Sequence, residues 1–178
     1  MIEAIIKRRS HRSFTDRKIE PEKLNEVLKA AMFAPTAKDR RPVEFIVVQD
    51  RDALARLSKM TPYSGFAKSA PAVVVICYDT QKGRRFREDC SISAAHIYLE
   101  ATNQGLGTCF VQVADAEFGP ELKGAVSLPG PEELIKKDLG IPERFRLQCM
   151  MPLGYPARGL PPHDECEFDR SRIHREKF

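Results

Sequence analysis

The sequence predicts a layered α/β arrangement in which helices pack against a central β-sheet. The segment "AVVVICY" is continuously apolar rather than alternating, which is typical of a strand covered on both faces. Segments with helical spacing of apolar residues alternate with such short apolar runs along the chain. The chain has 178 residues, a length at which one domain buries roughly 70% of its unfolded surface. We therefore expect a single domain over residues 1–178.

The composition argues against several classes of protein. Apolar residues make up 42% of the chain and charged residues 30%, as in ordinary globular proteins. The longest apolar runs are far shorter than the roughly 20 residues of a membrane helix, and no signal-peptide pattern follows Met1. The net charge of +4 is too small to indicate nucleic-acid binding by itself. We expect a cytoplasmic protein with neither a membrane nor a nucleic-acid partner.

The five cysteines form no CxxC pair and no metal-ligand spacing, and their number is odd. Three of them lie in apolar segments, where a free thiol behaves as a small hydrophobic group. This pattern favours structural thiols over redox or metal-binding ones for Cys77, Cys90, Cys109, Cys149 and Cys166.

Two helices are predicted near the N-terminus. Ile2, Ile5 and Ile6 share one edge of a first helix that should end near Arg9. Pro21 suits the first turn of a second helix. The apolar stripe of that helix consists of Leu24, Val27, Leu28 and Ala31.

Strands and helices alternate in the rest of the chain. "VEFIVVQD" predicts the first strand, and Asp50 is positioned to cap a short helix that carries Leu54 and Leu57. "PAVVVICYD" predicts the second strand. "TCFVQV" and "RLQCMMPLGY" predict a third and a fourth, separated by a helix, "GPEELIKKDLG", that Gly140 and Pro142 end.

A long helix from about Glu88 to Gln104 is expected before the third strand, with Gly105 as its C′ residue. It should be central and largely buried. The residues that indicate this are Ile92, Ala95, His96, Leu99 and Ala101.

Residues 156–178 are rich in proline and have no strong periodicity before "RSRIH". Such a segment is poorly explained as part of a self-contained core. We expect an extended C-terminal arm that is mobile or packs on another surface, such as that of a second subunit.

The segment "KRRSHR" is the first candidate binding site. Arg8, Arg9 and Arg12 supply rigid forks of N–H donors and Ser10 supplies a hydroxyl, a combination that suits phosphate. Cations at a helix C-terminus are also favoured by the helix dipole alone, by roughly 0.3–1 kcal/mol each. From these residues alone, both interpretations stay open.

The loop "APTAKDRRP" is the second candidate, because its polar side chains lead into a strand and could meet a ligand at the sheet edge. An ordinary connecting loop is the alternative. His96 is interpreted as a core or interface histidine rather than a base. The sequence contains no catalytic triad, metal signature, Walker loop or GxGxxG motif. If the arginines bind an anion, this absence indicates a bound cofactor that supplies the chemistry.

Three stretches in order resemble the FMN-dependent nitroreductase family. They are "AIIKRRSHRSFTDRKIEPEKLNEVLKAAMFAPTAKDRRPVEFIVV", "EDCSISAAHIYLEATNQGLGTCFVQV" and "LGIPERFRLQCMMPLGYPA". The family pattern is roughly RRSxRxF, an amphipathic helix, APSxxNxQPW and a strand, with a late PxGYP. The resemblance implies an α+β, nitroreductase-like fold, with a mixed, mainly antiparallel sheet flanked by helices in an intertwined homodimer.

The resemblance also implies which residues bind FMN at the subunit interface. The ribityl phosphate and flavin edge would be bound by Arg8, Arg9, Ser10 and Arg12. The FMN of the partner subunit would be reached by the loop with Pro35, Thr36, Ala37 and Asp39. The flavin ring would lie along Phe110, Val111, Gln112 and Val113, with Leu153 and Gly154 close by. The terminal "DRSRIHREKF" would embrace the second subunit.

The chain departs from the family pattern in places. Asp39 and Arg41 stand where the family has Asn and Gln, and Val43 replaces Trp. Asp39 near the flavin would disfavour the anionic reduced form, whereas Arg41 would favour it. Where many relatives have a basic residue for the phosphate, this chain reads "HDECEFD". Either Arg170 or Arg172 takes that role, or the N-terminal arginines hold the phosphate alone.

The implied activity is hydride transfer from NADH or NADPH through FMN to an electron-poor planar acceptor, such as a nitroaromatic or a quinone, in a ping-pong cycle. One alternative is another reaction on the same fold, such as reductive dehalogenation or flavin fragmentation. A second is a flavin binder without turnover. A third, of another class, is a basic module that binds nucleic acid through "KRRSHR" and "KGRRFRED".

Overall fold

The computed structural model describes residues 1–116 and 129–178, in which helices flank an open β-sheet. The helices are α1 (Glu3–Lys7), α2 (Pro21–Met32), α3 (Arg51–Leu57), α4 (Phe86–Asn103) and α5 (Pro131–Leu139). The strands are β1 (Val43–Val48), β2 (Ala72–Asp79), β3 (Gly107–Thr108), β4 (Val111–Gln112) and β5 (Phe145–Gly154).

The sheet has the order β1-β2-β5-β3, and β4 also pairs with β5. Every strand pair named here is antiparallel. The sheet is mixed because an isolated bridge between Ser10 and Thr108 is parallel. The expected α+β fold with a mixed, mainly antiparallel sheet is therefore confirmed.

Strand β2 is buried along its whole length, and this explains its continuous hydrophobicity. Val74 and Ile76 point into a core cluster that includes residues of α2 and α4. Val73 and Val75 belong to a second cluster, on the opposite face, that includes residues of α3 and α5. The layered arrangement follows from this division, because successive strand residues face opposite sides of a sheet.

Local signals begin and end the helices as predicted. Pro21 occupies the first turn of α2. The Asp50 carboxylate accepts the Ala53 N–H at the start of α3. Gly140 caps α5 in the left-handed conformation, with φ of 66°. Gly105, with φ of 72°, directly follows the C-cap of α4.

The inward face of α4 differs from the expected one. Ile92 and Ala95 are exposed, Ile92 by 37% of its surface. Small side chains allow the helix to approach the sheet closely, so the core face consists of Cys90, Ser93, Ala94, Ile97 and Ala101. The α4 helix carries apolar residues on two faces, and periodicity does not say which of them meets the core.

His96 joins α4 to α2, since its Nδ1 lies 2.9 Å from the carbonyl oxygen of Ala30. A carbonyl can only accept, so Nδ1 carries the proton and donates it. This contact agrees with the interpretation of His96 as a structural histidine.

The predicted third strand, "TCFVQV", is wrong as one continuous strand. It is divided into β3 and β4 at Cys109 and Phe110. The register of both pieces against β5 sets Cys109 opposite Pro152, which has no amide hydrogen to contribute to the sheet. The Phe110 N–H instead donates to the hydroxyl of Tyr98, at 2.6 Å.

Four of the five cysteines are buried, and Cys166 is exposed. Burial raises the pKa of Cys77 to about 12 and raises the pKa of Cys90 and Cys149 as well. These three thiols are therefore protonated at neutral pH, which agrees with a structural role.

Only part of the expected C-terminal arm is extended over the surface. Residues after β5 run beside the N-terminal segment, where Thr15 N–H donates to Tyr155, Ala157 N–H to Ser13 and His163 N–H to Ile6. Residues 164–178 follow as exposed chain with short turns at Glu165–Glu167 and Arg170–Arg172. Within the described residues, no helix has the length and apolar character needed to cross a membrane.

Gly105→Ala should lower the free energy of unfolding by about 1–2 kcal/mol, because a side chain is strained at positive φ. No atom lies within 4 Å of the added Cβ, so the loss of stability would come from backbone strain rather than from a steric clash. Gly65→Ala is the matched control, since its Cβ also meets open space without a positive φ. Urea unfolding followed by circular dichroism measures the free energy of unfolding of both variants. An equal loss of stability in the two would show that the positive φ of Gly105 is not the cause.

Candidate functional site

The edge of β3 holds the segment "RRSHRS" by backbone contacts. Ser10 bridges Thr108, and the His11 N–H donates to the Thr108 carbonyl at 3.0 Å. Gly107 makes this approach possible, because a Cβ there would lie 2.8 Å from the Cβ of His11. The position of the arginines is therefore set by the backbone rather than by their own side chains.

A cleft of about 440 Å³ lies beside this segment. It brings together Arg8, Arg9, Ser10 and Arg12, the four residues that the sequence groups as an anion site. No acidic residue lines the cleft among the described residues, and the remaining lining residues are His11, Ser13, Arg158, Leu160 and His163. Guanidinium forks and hydroxyls around one cavity are suited to a phosphate group. We call it the arginine cleft.

The C-terminal segment orients the arginines of this cleft. Arg8 Nη2 lies 3.0 Å from Nε2 of His163, and Arg9 donates to the Pro161 carbonyl at 2.8 Å. A guanidinium can only donate, so Nε2 of His163 accepts and its Nδ1 carries the hydrogen. That Nδ1 donates to Glu167 at 2.7 Å, and the hydrogen bond lowers the pKa of Glu167.

These contacts bear on the unusual sequence "HDECEFD". His163 and Glu167 of this stretch hold Arg8 in place, and Arg158 adds a further guanidinium to the cleft. Arg170 and Arg172 lie farther along, in an exposed turn, and are not among the residues that line the cleft. Within one subunit, the guanidinium groups that line the cleft are therefore those of the N-terminal arginines and Arg158.

Tyr98 of α4 links this cleft to β4 and was not singled out by sequence reasoning. Its hydroxyl accepts the Phe110 N–H at 2.6 Å and lies 3.3 Å from Ser10 Oγ. The Arg8 guanidinium lies over its ring, 5.2 Å from the centroid. Burial raises the pKa of the Tyr98 hydroxyl. The sequence offers one signal for such a residue, which is a tyrosine on a helix and facing small residues. Because a half-buried phenol requires a polar partner, such a tyrosine indicates a hydrogen bond to a neighbouring segment.

The loop with Pro35, Thr36, Ala37 and Asp39 lies elsewhere on the subunit. The Ala37 N–H donates to Asp89 near the start of α4, at 3.0 Å. Asp89 and Tyr98 are nine residues apart, so about 14 Å of helix separates this loop from the arginine cleft. One subunit therefore places the two predicted groups near opposite ends of α4.

Asp39 and Arg41, the two departures from the family pattern, form an ion pair. Arg41 donates to both oxygens of Asp39, at 2.9 and 3.0 Å. This hydrogen bonding lowers the pKa of Asp39 and raises that of Arg41. Their opposite effects on a nearby flavin would largely cancel, because the two charges are adjacent.

The residues expected along the flavin ring differ in what they can present to a ligand. Val111, Val113 and Leu153 are buried in the core. Gly154 is also buried, and a Cβ there would lie 2.5 Å from Cδ of Pro71. Side chains at the surface belong to Phe110, which is half-buried, and Gln112, which is exposed. The other four are buried as whole residues, so within this subunit neither their side chains nor their backbone offers much surface to a ligand.

Residues 1–116 and 129–178 contain no cluster of His, Cys, Asp and Glu side chains that could hold a metal ion. The two basic segments considered for nucleic acid, "KRRSHR" and "KGRRFRED", lie at different ends of α4. The arginines of the first line a concave cleft, which fits a small anion better than a duplex.

The chain is similar to known proteins over its whole length. The nitroreductase family profile matches residues 5–62 and 58–155. A Methanothermobacter thermautotrophicus protein, provisionally named NADH dehydrogenase/NAD(P)H nitroreductase, is 35% identical over 100% of this chain and 87% of its own. An iodotyrosine deiodinase from Haliscomenobacter hydrossis is 24% identical over 93% of this chain and 83% of its own.

A solved structure has the same fold. The FMN-dependent nitroreductase from Clostridium difficile superimposes with a TM-score of 0.92, at 33% identity, covering 100% of both chains. The family profile and this extent of identity each show the family of the chain. The chain belongs to the nitroreductase family.

Proposed function

We propose that this protein is an NAD(P)H-dependent FMN oxidoreductase that reduces electron-poor planar acceptors, such as nitroaromatics or quinones, by a ping-pong mechanism. The observation that carries the proposal is the arginine cleft beside β3, in a chain of the nitroreductase family. The relatives whose names include NAD(P)H nitroreductase and FMN-dependent nitroreductase support the two cofactors.

The residues of the cleft fit the phosphate end of FMN. Arg8, Arg12 and Arg158 offer guanidinium donors from two segments of chain, and Ser10 offers a hydroxyl. The polar lining therefore favours a bound anion.

When bound, the flavin accepts and donates a hydride. The chain supplies position: Arg8, Arg9, Ser10 and Arg12 would hold the phosphate, and Tyr98 fixes the backbone at Phe110. The ring would lie along residues 110–113, where Phe110 and Gln112 have accessible side chains, and close to Leu153 and Gly154. Protons for the acceptor can come from solvent, so this reaction does not require a dedicated side-chain acid.

A homodimer would complete the site. Ile92, Ala95 and Leu99 form a second apolar stripe on α4, and Ile92 and Ala95 are exposed. Met32 and Phe33, just before the loop with Pro35, Thr36, Ala37 and Asp39, are 61% and 71% exposed. Apolar residues outside the core on adjoining elements are typical of a subunit interface. That loop would then reach the partner's flavin, and residues 164–178 would embrace the partner.

Reductive dehalogenation is a second candidate, because an iodotyrosine deiodinase is similar over 93% of this chain. Release of iodide from iodotyrosine by the reduced protein would support it. Nitroaromatic or quinone reduction without iodide release would support the first.

The purified protein should show the visible absorption of oxidised flavin, and NADH or NADPH should bleach it when oxygen is excluded. Initial rates at several acceptor concentrations should give parallel double-reciprocal lines, because the donor leaves before the acceptor binds. A colourless protein that stays colourless with FMN would contradict the cofactor. Flavin that neither nucleotide bleaches would support a binder without turnover.

Arg12→Gln should weaken FMN binding by about tenfold or more, since a hydrogen bond to a charged group contributes roughly 1.5–3 kcal/mol. Riboflavin has the same ring system without the phosphate, so its affinity should not change. Fluorescence titration with both flavins measures the difference. Arg51→Gln removes an exposed cation outside the arginine cleft and should change neither affinity. Equal weakening for FMN and riboflavin would show that Arg12 does not bind the phosphate.

Ile92→Glu should convert the dimer to a monomer, because a carboxylate would be buried in the apolar interface. Analytical ultracentrifugation should give twice 20.2 kDa for the unmodified protein and 20.2 kDa for the variant. The variant should also lose FMN. Ala55→Glu, on an exposed position of α3, should leave mass and flavin content unchanged. A dimeric Ile92→Glu variant would place the interface elsewhere.

A further inference from the structure

A second cationic cleft lies near the start of α4. Its volume is about 610 Å³, and it is lined by Ala37, Lys38, Arg40, Arg84 and Arg85. None of these residues lines the arginine cleft. Arg85 and Tyr98 are thirteen residues apart, so about 20 Å of helix separates the two cationic sites. A group bound by the arginine cleft of the same subunit therefore cannot also be the group that this second cleft would bind.

One wall of this cleft comes from the loop before β1. Lys38, Asp39 and Arg41 have φ of 59°, 51° and 50°, in the left-handed region that side chains rarely adopt. Asp39 and Arg41 pair with each other, whereas Lys38 and Arg40 line the cleft. Strained backbone of this kind is retained where the surrounding structure holds it, often at binding sites.

The opposite wall precedes α4 and is held by Tyr78. The Arg85 N–H donates to the Tyr78 hydroxyl at 2.7 Å, and a Cβ at Gly83 would collide with the same hydroxyl. Arg84 and Arg85 extend from this fixed turn into the cleft.

A buried pair joins the two walls. The Tyr78 hydroxyl donates to one oxygen of Asp89 at 3.4 Å, and the other oxygen of Asp89 accepts the Ala37 N–H at 3.0 Å. Tyr78 and Asp89 are 1% and 3% exposed. The four cations are therefore carried by two segments that the core fixes relative to each other, rather than by independent surface loops.

The neighbouring carboxylates leave most of this positive charge uncompensated. Asp39 is bonded to Arg41, and Asp89 is buried between the walls. Glu88 approaches Arg85 only to 3.9 Å. In residues 1–116 and 129–178, no carboxylate is in salt-bridge contact with Lys38, Arg40 or Arg84. Several cations around one cavity match a phosphate monoester, which carries nearly two charges and three acceptor oxygens.

We propose that the cleft of Lys38, Arg40, Arg84 and Arg85 binds the 2′-phosphate of NADPH and makes the enzyme prefer NADPH to NADH. This inference rests on the proposed function and adds its donor specificity. The pyrophosphate is common to both nucleotides, and each of its two phosphates carries one charge. The 2′-phosphate is the monoester that distinguishes them. The strained loop that contributes Lys38 and Arg40 is the one proposed to reach the partner's flavin, where the donor must bind.

The double variant Arg40→Gln, Arg84→Gln tests the site in the FMN-loaded enzyme. We expect the KM for NADPH to rise by about tenfold or more, as loss of one charge-assisted hydrogen bond would cause. The kcat, the FMN content and the KM for NADH should stay within twofold. The control, Arg51→Gln with Lys59→Gln, removes two exposed cations from outside the cleft and should change none of these values.

A binding measurement separates this inference from the proposed function, because it requires no turnover. Calorimetry should detect 2′,5′-ADP binding to the unmodified protein, with much weaker binding of 5′-AMP and of either probe to the double variant. An equal rise of KM for NADH and NADPH would overturn the assignment to the 2′-phosphate. A rise of KM confined to a carboxylated acceptor, such as nitrobenzoate, would also overturn the assignment to the 2′-phosphate. Unchanged 2′,5′-ADP affinity in the double variant, with both nucleotides still oxidised, would refute the cleft and leave the proposed function intact.

Discussion

The pairing of the N-terminal segment with the edge of β3 is the constraint on which the candidate site depends. Residues 8–15 belong to no helix or regular strand, so their buried amides need partners elsewhere. His11 finds one on Thr108, and Thr15 finds one on Tyr155, just beyond β5. Gly107 and Gly154 lack the side chains that would push these segments apart. The arginine cleft results from this close backbone approach, and two of its cations, Arg8 and Arg9, are held by protein contacts before any ligand arrives.

The sequence predicts the elements whose causes are local. The buried strand β2, the Asp50 cap of α3 and the glycine that ends α5 depend on neighbours within a few residues. The break between β3 and β4 has no such local cause. It depends on the hydrogen bond from Phe110 to Tyr98 and on Pro152, which lies opposite in β5. The same holds for α4, where two faces are apolar and only packing decides which is buried.

The residues of the candidate site likewise form two groups, one that the sequence predicts and one that it does not. Arg8, Arg9, Ser10 and Arg12 are adjacent in the sequence, so their grouping can be predicted. Arg158 and His163 join them from the other end of the chain, and no sequence spacing indicates that contact. The charged residues also differ in whether they are paired. A net charge of +4 conceals two cationic clefts, because acidic residues such as Asp39 and Glu167 are bonded to other groups.

The contact between Arg8 and His163 joins residues that are 155 positions apart. On the ribosome, Arg8 and its neighbours emerge long before the segment that orients them has been made. Contacts between distant parts of a chain also form slowly, because a long loop must close before they contribute. The arginine cleft can therefore be completed only after residue 163 has been synthesised, so a chain interrupted before that residue would lack a finished arginine cleft.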